Sequence, residues 1–213
     1  MKIKSILYTL FVSLVIFSCL PSRLLSRIVA KYDIGLLEVE SPADAKLQFG
    51  ETKVVSFNEE GKNKYKYEDD YIDIIWYAGA QQFYFVLKNK TNHSIKINWD
   101  DISYVDINGQ VGRVMHSGVK YNEKNNSQPA TTIPKGASIS DILLPTDNVY
   151  LSLSTWQQQN LIPSLYKTKQ ELKTSAPGYV GKTMKIFMPI LIENVQNDYT
   201  FTFIVEKLLN TIK

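Results

Sequence analysis

Few residues in this chain have the type and spacing to do chemistry, and most of those read more simply as structure. The two histidines, His93 and His116, stand apart, and neither belongs to a His-Glu-x-x-His or similar pair that would seat zinc. Ser117 follows His116, but adjacent residues on an extended chain point to opposite faces, so a base–nucleophile pair there lacks both geometry and a third partner. His93, in Asn92-His93-Ser94, reads as an exposed turn residue. Glu68-Asp69-Asp70, Asp73 and Asp100-Asp101 are of the type that holds calcium, yet they lack the alternating spacing and central glycine of a helical calcium loop and read as solvated turns. Gly109-Gln110-Val111-Gly112 lacks the Gly-Lys-Ser/Thr ending of a phosphate loop. No catalytic residue, metal site or cofactor is expected.

One residue has a defined chemistry by its position. Cys19 is the only cysteine in 213 residues, and it closes an apolar or hydroxylated run, Ile6 to Phe17, that follows the basic Lys2 and Lys4. As a helix that run rises about 18 Å, well short of the roughly 30 Å hydrocarbon layer, so it reads as a signal peptide over residues 1–18 and not as a membrane span. The residues Ile16-Phe17-Ser18-Cys19 resemble the lipobox of bacterial lipoproteins. That resemblance implies that the Cys19 thiol is joined to a diacylglyceryl group, that the chain is cut before it, and that the new amino terminus is acylated. It also implies a bacterial cell-envelope protein held to a membrane by lipid. Leu20, a residue other than aspartate after the cysteine, implies the outer membrane in cells that have two. An ordinary secretory signal is the alternative.

The chain after the signal has 195 residues, enough for one large domain, and its composition, 44% hydrophobic and 12% aromatic, suits a packed core. The formal charge of +3 includes Lys2 and Lys4, so only +1 is left on residues 19–213 and no nucleic-acid footprint survives. With no second cysteine, packing and sheet hydrogen bonds must hold the fold without disulfides. Residues 19–34 read as a lipidated tether. Arg23, Arg27 and Lys31, spaced four apart, would form a basic stripe at an anionic membrane surface if the segment is helical, and a flexible linker is the equal alternative.

From residue 35 the pattern is of strands. Leu36–Glu40, Lys46–Phe49, Thr52–Phe57, Tyr71–Tyr77 and Gln82–Leu87 are rich in β-branched and aromatic residues, and Phe83, Phe85 and Leu87 alternate with Tyr84, Val86 and Lys88. Asn108-Gly109, between Ile102–Ile107 and Gln110–Met115, predicts a two-residue type I′ hairpin. Thr183–Ile192 and Tyr199–Glu206 are the last strands. About nine or ten strands predict an all-β antiparallel sandwich over residues 35–213. Its stretch from Phe83 to Leu144 resembles the immunoglobulin-like domains of small bacterial envelope lipoproteins, modules that bind or scaffold.

Residues 154–181 read as a long insertion, since a connection beyond roughly 12–15 residues is usually functional or disordered. Within it Trp156, Leu161, Ile162 and Tyr166 are the expected partner-binding anchors, and replacing Gln157–Ala176 by a short linker is expected to spare the fold. The expectation is a non-enzymatic module that binds an unknown envelope protein or glycan. A glycan-binding module or weak glycan hydrolase, using the aromatics between Tyr65 and Phe85 with Glu68 or Asp69/Asp70, is the alternative.

Overall fold

Alternation along the strands decides which side chains meet, because successive residues of a strand face opposite sides of the sheet. A computed structural model describes residues 27–41 and 54–209. Cys19 and Arg23, the expected strand Lys46–Phe49 and the start of Thr52–Phe57 lie outside those residues.

The strands are β1 (Ile28–Val29), β2 (Lys31–Glu40), β3 (Val55–Glu59), β4 (Lys62–Glu68), β5 (Ile72–Ala78), β6 (Phe83–Asn89), β7 (Ile95–Ile97), β8 (Ser103–Val105), β9 (Val111–Met115), β10 (Thr131–Ile133), β11 (Ser138–Pro145), β12 (Val149–Ser152), β13 (Thr155–Gln158), β14 (Leu165–Tyr166), β15 (Thr183–Ile192) and β16 (Val195–Leu209). One seven-residue helix, α1 (Lys169–Ser175), joins them, and among the described residues no helix is long and apolar enough to cross a membrane. The sixteen strands among the described residues exceed the nine or ten expected, mainly because several pieces of two to four residues carry too little periodicity to register.

Twelve strands form one curled antiparallel sheet. Its path runs β10-β7-β15-β8-β9-β11-β6-β5-β4-β3, with β16 on β15 and β2 on β16. The turn of the sheet lies at β9 and β11: β9 pairs with β8 through Val111 to Arg113 and with β11 through Val114 and Met115, while β11 pairs with β6 from Ser138 to Leu143. The two arms therefore face each other. Trp76 of β5 lies 5.0 Å from Phe201 and 5.5 Å from Phe203 of β16, measured between ring centres, and Phe83 of β6 lies 4.7 Å from Phe203. The face of β6 that alternation sets apart (Phe83, Phe85, Leu87) is buried, and so is one face of β16 (Tyr199, Phe201, Phe203, Val205). The all-β, antiparallel reading holds.

The tight turns fall elsewhere than predicted. Asn108-Gly109 sits in a wider loop, Asp106 to Gln110, in which Gly109 alone takes a positive φ, +83°. The reason is Asp106, whose Oδ1 accepts from the amides of Asn108 and Gln110 at 2.8 Å each and fixes the loop without a type I′ turn. Two-residue turns with both residues at positive φ occur instead at Glu60-Gly61, Leu153-Ser154 and Glu193-Asn194. Leucine at φ 46° is unusual, since left-handed backbone costs an L-residue roughly 1–2 kcal/mol. Changing Leu153-Ser154 to Asn-Gly is therefore expected to stabilise the domain by about 1 kcal/mol and to raise Tm by roughly 2–4 °C in a thermal melt.

The folded domain also begins earlier than expected. Ile28 pairs with Tyr166 and Val29 with Leu165 in a small two-stranded sheet, and Lys31 opens a ten-residue strand of the large sheet, so these residues are strand rather than tether or helix. Neither is the segment 154–181 structureless. It holds β13, β14, α1 and a 3-10 turn, Ala176–Tyr179. Helix α1 is started by Thr168, whose hydroxyl accepts from the Glu171 amide at 3.0 Å, while Glu171 reaches back to the Lys167 amide at 2.8 Å.

Candidate functional site

The expected anchors divide between core and surface. Leu161 and Ile162 are 4% and 3% exposed and belong to the main core, and Tyr166 is buried with Ala30 and Ala176. Backbone bonds lock them there: Leu161 N–H donates to Ala80 O at 2.8 Å and Ala30 N–H to Ser164 O at 2.7 Å. The Tyr32 and Tyr166 hydroxyls meet at 3.1 Å. These three residues are thus structural and not surface anchors, because an apolar Leu-Ile pair between polar neighbours turns inward wherever a sheet edge offers backbone partners. Trp156 is different and stays partly open, at 38% exposure.

Trp156 belongs to a hairpin that stands out from the body. Among the described residues, strands β12 and β13 pair only with each other, through Val149↔Gln158, Tyr150↔Gln157, Leu151↔Trp156 and Ser152↔Thr155. The base is fastened. Val149 is buried against Met115 and Leu144, Gln158 Nε2 donates to Tyr121 Oη, and Gln81 Nε2 donates to Gln158 O at 3.2 Å. The tip is bare: Tyr150 is 47%, Leu151 58% and Leu153 98% exposed. Sequence reading missed this hairpin because its Leu-Ser turn carries no glycine or asparagine.

Beside the hairpin base lies a basic rim. Gln158 and Leu165 line one cleft of about 200 Å³, and β14 carries β1 on its edge. Arg27, Lys31, Lys167, Lys169 and Lys173 are all exposed around β1, β14 and α1, with Glu171 the acid among them. Leu172 of α1 packs against Ala30 and Tyr166, which holds that helix on the same end of the domain. A second cleft, of about 300 Å³, opens between Val29, Tyr32, Tyr77, Gly79 and Ile162.

The other chemical candidates are accounted for by local bonding. The His116 ring stacks on buried Trp99 at 4.1 Å, and its Nδ1 faces Asp141 Oδ2 at 3.3 Å. Ser117 meets the same carboxylate through its backbone amide, at 2.8 Å, and among the described residues no hydrogen bond joins its hydroxyl to His116. Asp69 is not a solvated turn residue: its Oδ2 accepts from Tyr67 Oη at 3.0 Å and Tyr199 Oη at 2.9 Å. Lys66 and Lys90 bond Glu68 and hold its carboxyl down at about 2. Of the aromatics expected to stack on sugar, Tyr65, Tyr67, Trp76, Phe83 and Phe85 are core, whereas Tyr84 is 42% exposed and stacks on Tyr77 at 5.5 Å. Among the described residues no group of three or more His, Cys, Asp or Glu is placed to hold a metal ion.

No protein-family model, curated protein or solved structure matches this chain, so its function is read from these residues.

Proposed function

We propose that this chain is a non-enzymatic, lipid-anchored protein of the bacterial cell envelope, an immunoglobulin-like β-sandwich that binds or scaffolds another envelope protein or a glycan. The observation that carries the reading is the single cysteine at the end of an apolar signal, in Ile16-Phe17-Ser18-Cys19. Two further facts support it. The described sheet begins at Ile28, nine residues after Cys19, so acylation would hold the domain close to a bilayer. Rings from β4, β5 and β6 pack against β16 across the curl of the antiparallel sheet, an arrangement that suits the face-to-face core of a sandwich. Leu20 after the cysteine favours the outer membrane.

The test is the cysteine itself. In a bacterial host with lipoprotein processing, Cys19→Ala is expected to abolish acylation and leave the uncut precursor. The wild-type amino-terminal peptide should carry its acyl chains in mass spectrometry, and an unmodified Cys19 there would end the lipoprotein reading.

A further inference from the structure

We infer that the β12–β13 hairpin is a second membrane contact, with Leu153 leading into the interfacial layer of an anionic bilayer and the cross-strand pair Leu151 and Trp156, then Tyr150, following at headgroup level. This deepens the lipid-anchored reading and rests on it. Leu153 is the starting point. It is 98% exposed and held at φ 46°, so its place is unfavourable in backbone and in solvation, and no contact within the described residues compensates for either. A costly conformation kept at a fully exposed apolar tip points to a use outside the chain.

The composition says which use. From Asn148 to Tyr166, nineteen residues, there is no charged side chain, although 21% of the whole chain is charged. Entering a lipid interface therefore strips water from no charge along the hairpin. Leu153 stands at the tip, Leu151 and Trp156 lie paired across the two strands behind it, and Tyr150 comes one step further back, so the apolar tip leads and the amphipathic rings follow as at an interface, where such rings settle among headgroups.

The placement agrees. Strand β1, into which residues 1–26 run, pairs with β14, and Leu165 of β14 shares a cleft with Gln158 at the hairpin base. An extended chain spans at most about 3.3–3.6 Å per residue, so the eight steps from Cys19 to Arg27 hold this end within roughly 30 Å of an acylated cysteine. The rim of Arg27, Lys31, Lys167, Lys169 and Lys173 offers positive charge to anionic headgroups on the same end. A protein partner would need none of this alignment with the anchor.

The reporter is built in. Of the three tryptophans, Trp76 and Trp99 are 0% and 1% exposed, so a lipid-dependent change in emission belongs to Trp156. Acylated full-length protein is placed in vesicles of phosphatidylethanolamine and phosphatidylglycerol, with or without brominated acyl chains. Trp156 emission is expected to move to shorter wavelength and to be quenched by the bromine. Leu151→Ser combined with Leu153→Asn and Ser154→Gly removes both leucines while the eased turn offsets the lost Leu151–Trp156 pairing, so the fold is kept as the inserted-to-free ratio falls by on the order of a hundredfold and quenching disappears. Unquenched Trp156 in acylated, vesicle-held protein would overturn the inference and leave the anchor standing; contact-length crosslinks from the hairpin to a protein would overturn it likewise. Quenching that survives the triple variant would also overturn it. Quenching of wild type whose Cys19 bears no lipid would support the hairpin contact and overturn the anchor alone.

Discussion

Replacing Asp69 by alanine is expected to destabilise the domain by about 3–5 kcal/mol, a loss readable as a lowered urea midpoint. The carboxylate sits at the turn between β4 and β5 and serves four donors. Its Oδ1 accepts from the amides of Tyr71 and Ile72 at 2.8 Å each, and its Oδ2 takes the Tyr67 and Tyr199 hydroxyls. Both tyrosines are 0% exposed, so removing the acceptor strands two hydroxyls in a water-free core, and that is costlier than the mean worth of a hydrogen bond. Tyr67→Phe and Tyr199→Phe in the alanine background should recover part of the loss, which a double-mutant cycle would show as a coupling above about 1 kcal/mol per pair. Burial first, and the Asp69 charge second, push both tyrosines above the ordinary value of 10. A folded value raised in this way contributes stability that is whole below pH 10 and is lost as pH climbs beyond it. Alkaline unfolding should therefore begin above pH 10 and move higher in the Tyr199→Phe variant. If Asp69→Ala left the midpoint within about 0.5 kcal/mol of wild type, the cluster would be peripheral to stability.

Asp69 also shows why some of the fold is legible from sequence and some is not. That Glu68-Asp69-Asp70 makes a turn is local information, carried by a run of acids before the β-rich Tyr71–Tyr77, whereas β4, the strand it ends, is not among the expected strands. That Asp69 is buried depends on Tyr199, 130 residues away, and no local pattern reports that contact. The long strands β6 and β16 announce themselves by alternation over seven or more residues, so the residues that share a face could be named in advance, while β15 reads as a strand without a face. Helix α1 left a readable mark, Thr168-x-x-Glu171, which lies within the polar run Lys167 to Ser175. The hairpin left none, because Leu153-Ser154 is a turn without turn residues. The surface signal at Trp156 could be read, but the same criterion of apolar residues in polar company picked Leu161, Ile162 and Tyr166, which sheet pairing with β1 and the β5–β6 turn carries inward.

Those buried residues reverse the expectation that the segment 157–176 can be cut away. Ile162→Ala and Leu161→Ala are each expected to cost about 2–4 kcal/mol, since each empties a nearly closed site in the main core, and the residues are too close together for their effects to add. Deleting Gln157–Ala176 removes both, together with the acceptor for the Ala30 amide, the partner strand of β1 and the fully buried Ala176. The deleted chain should lose its cooperative melt rather than merely a binding surface. Leu153→Ser lies only nine positions from Ile162, yet it should change stability by less than about 0.5 kcal/mol, because an exposed tip has no packing to lose. The segment from β12 to α1 thus has two separable parts, an inner one that seals the end of the fold where β1 enters and an outer hairpin tip that the fold can do without. Thermal melts of the single variants decide it: equal, small effects at Ile162 and Leu153 would make the whole segment a passive loop. A large loss at Leu153 would instead assign the hairpin tip to the core.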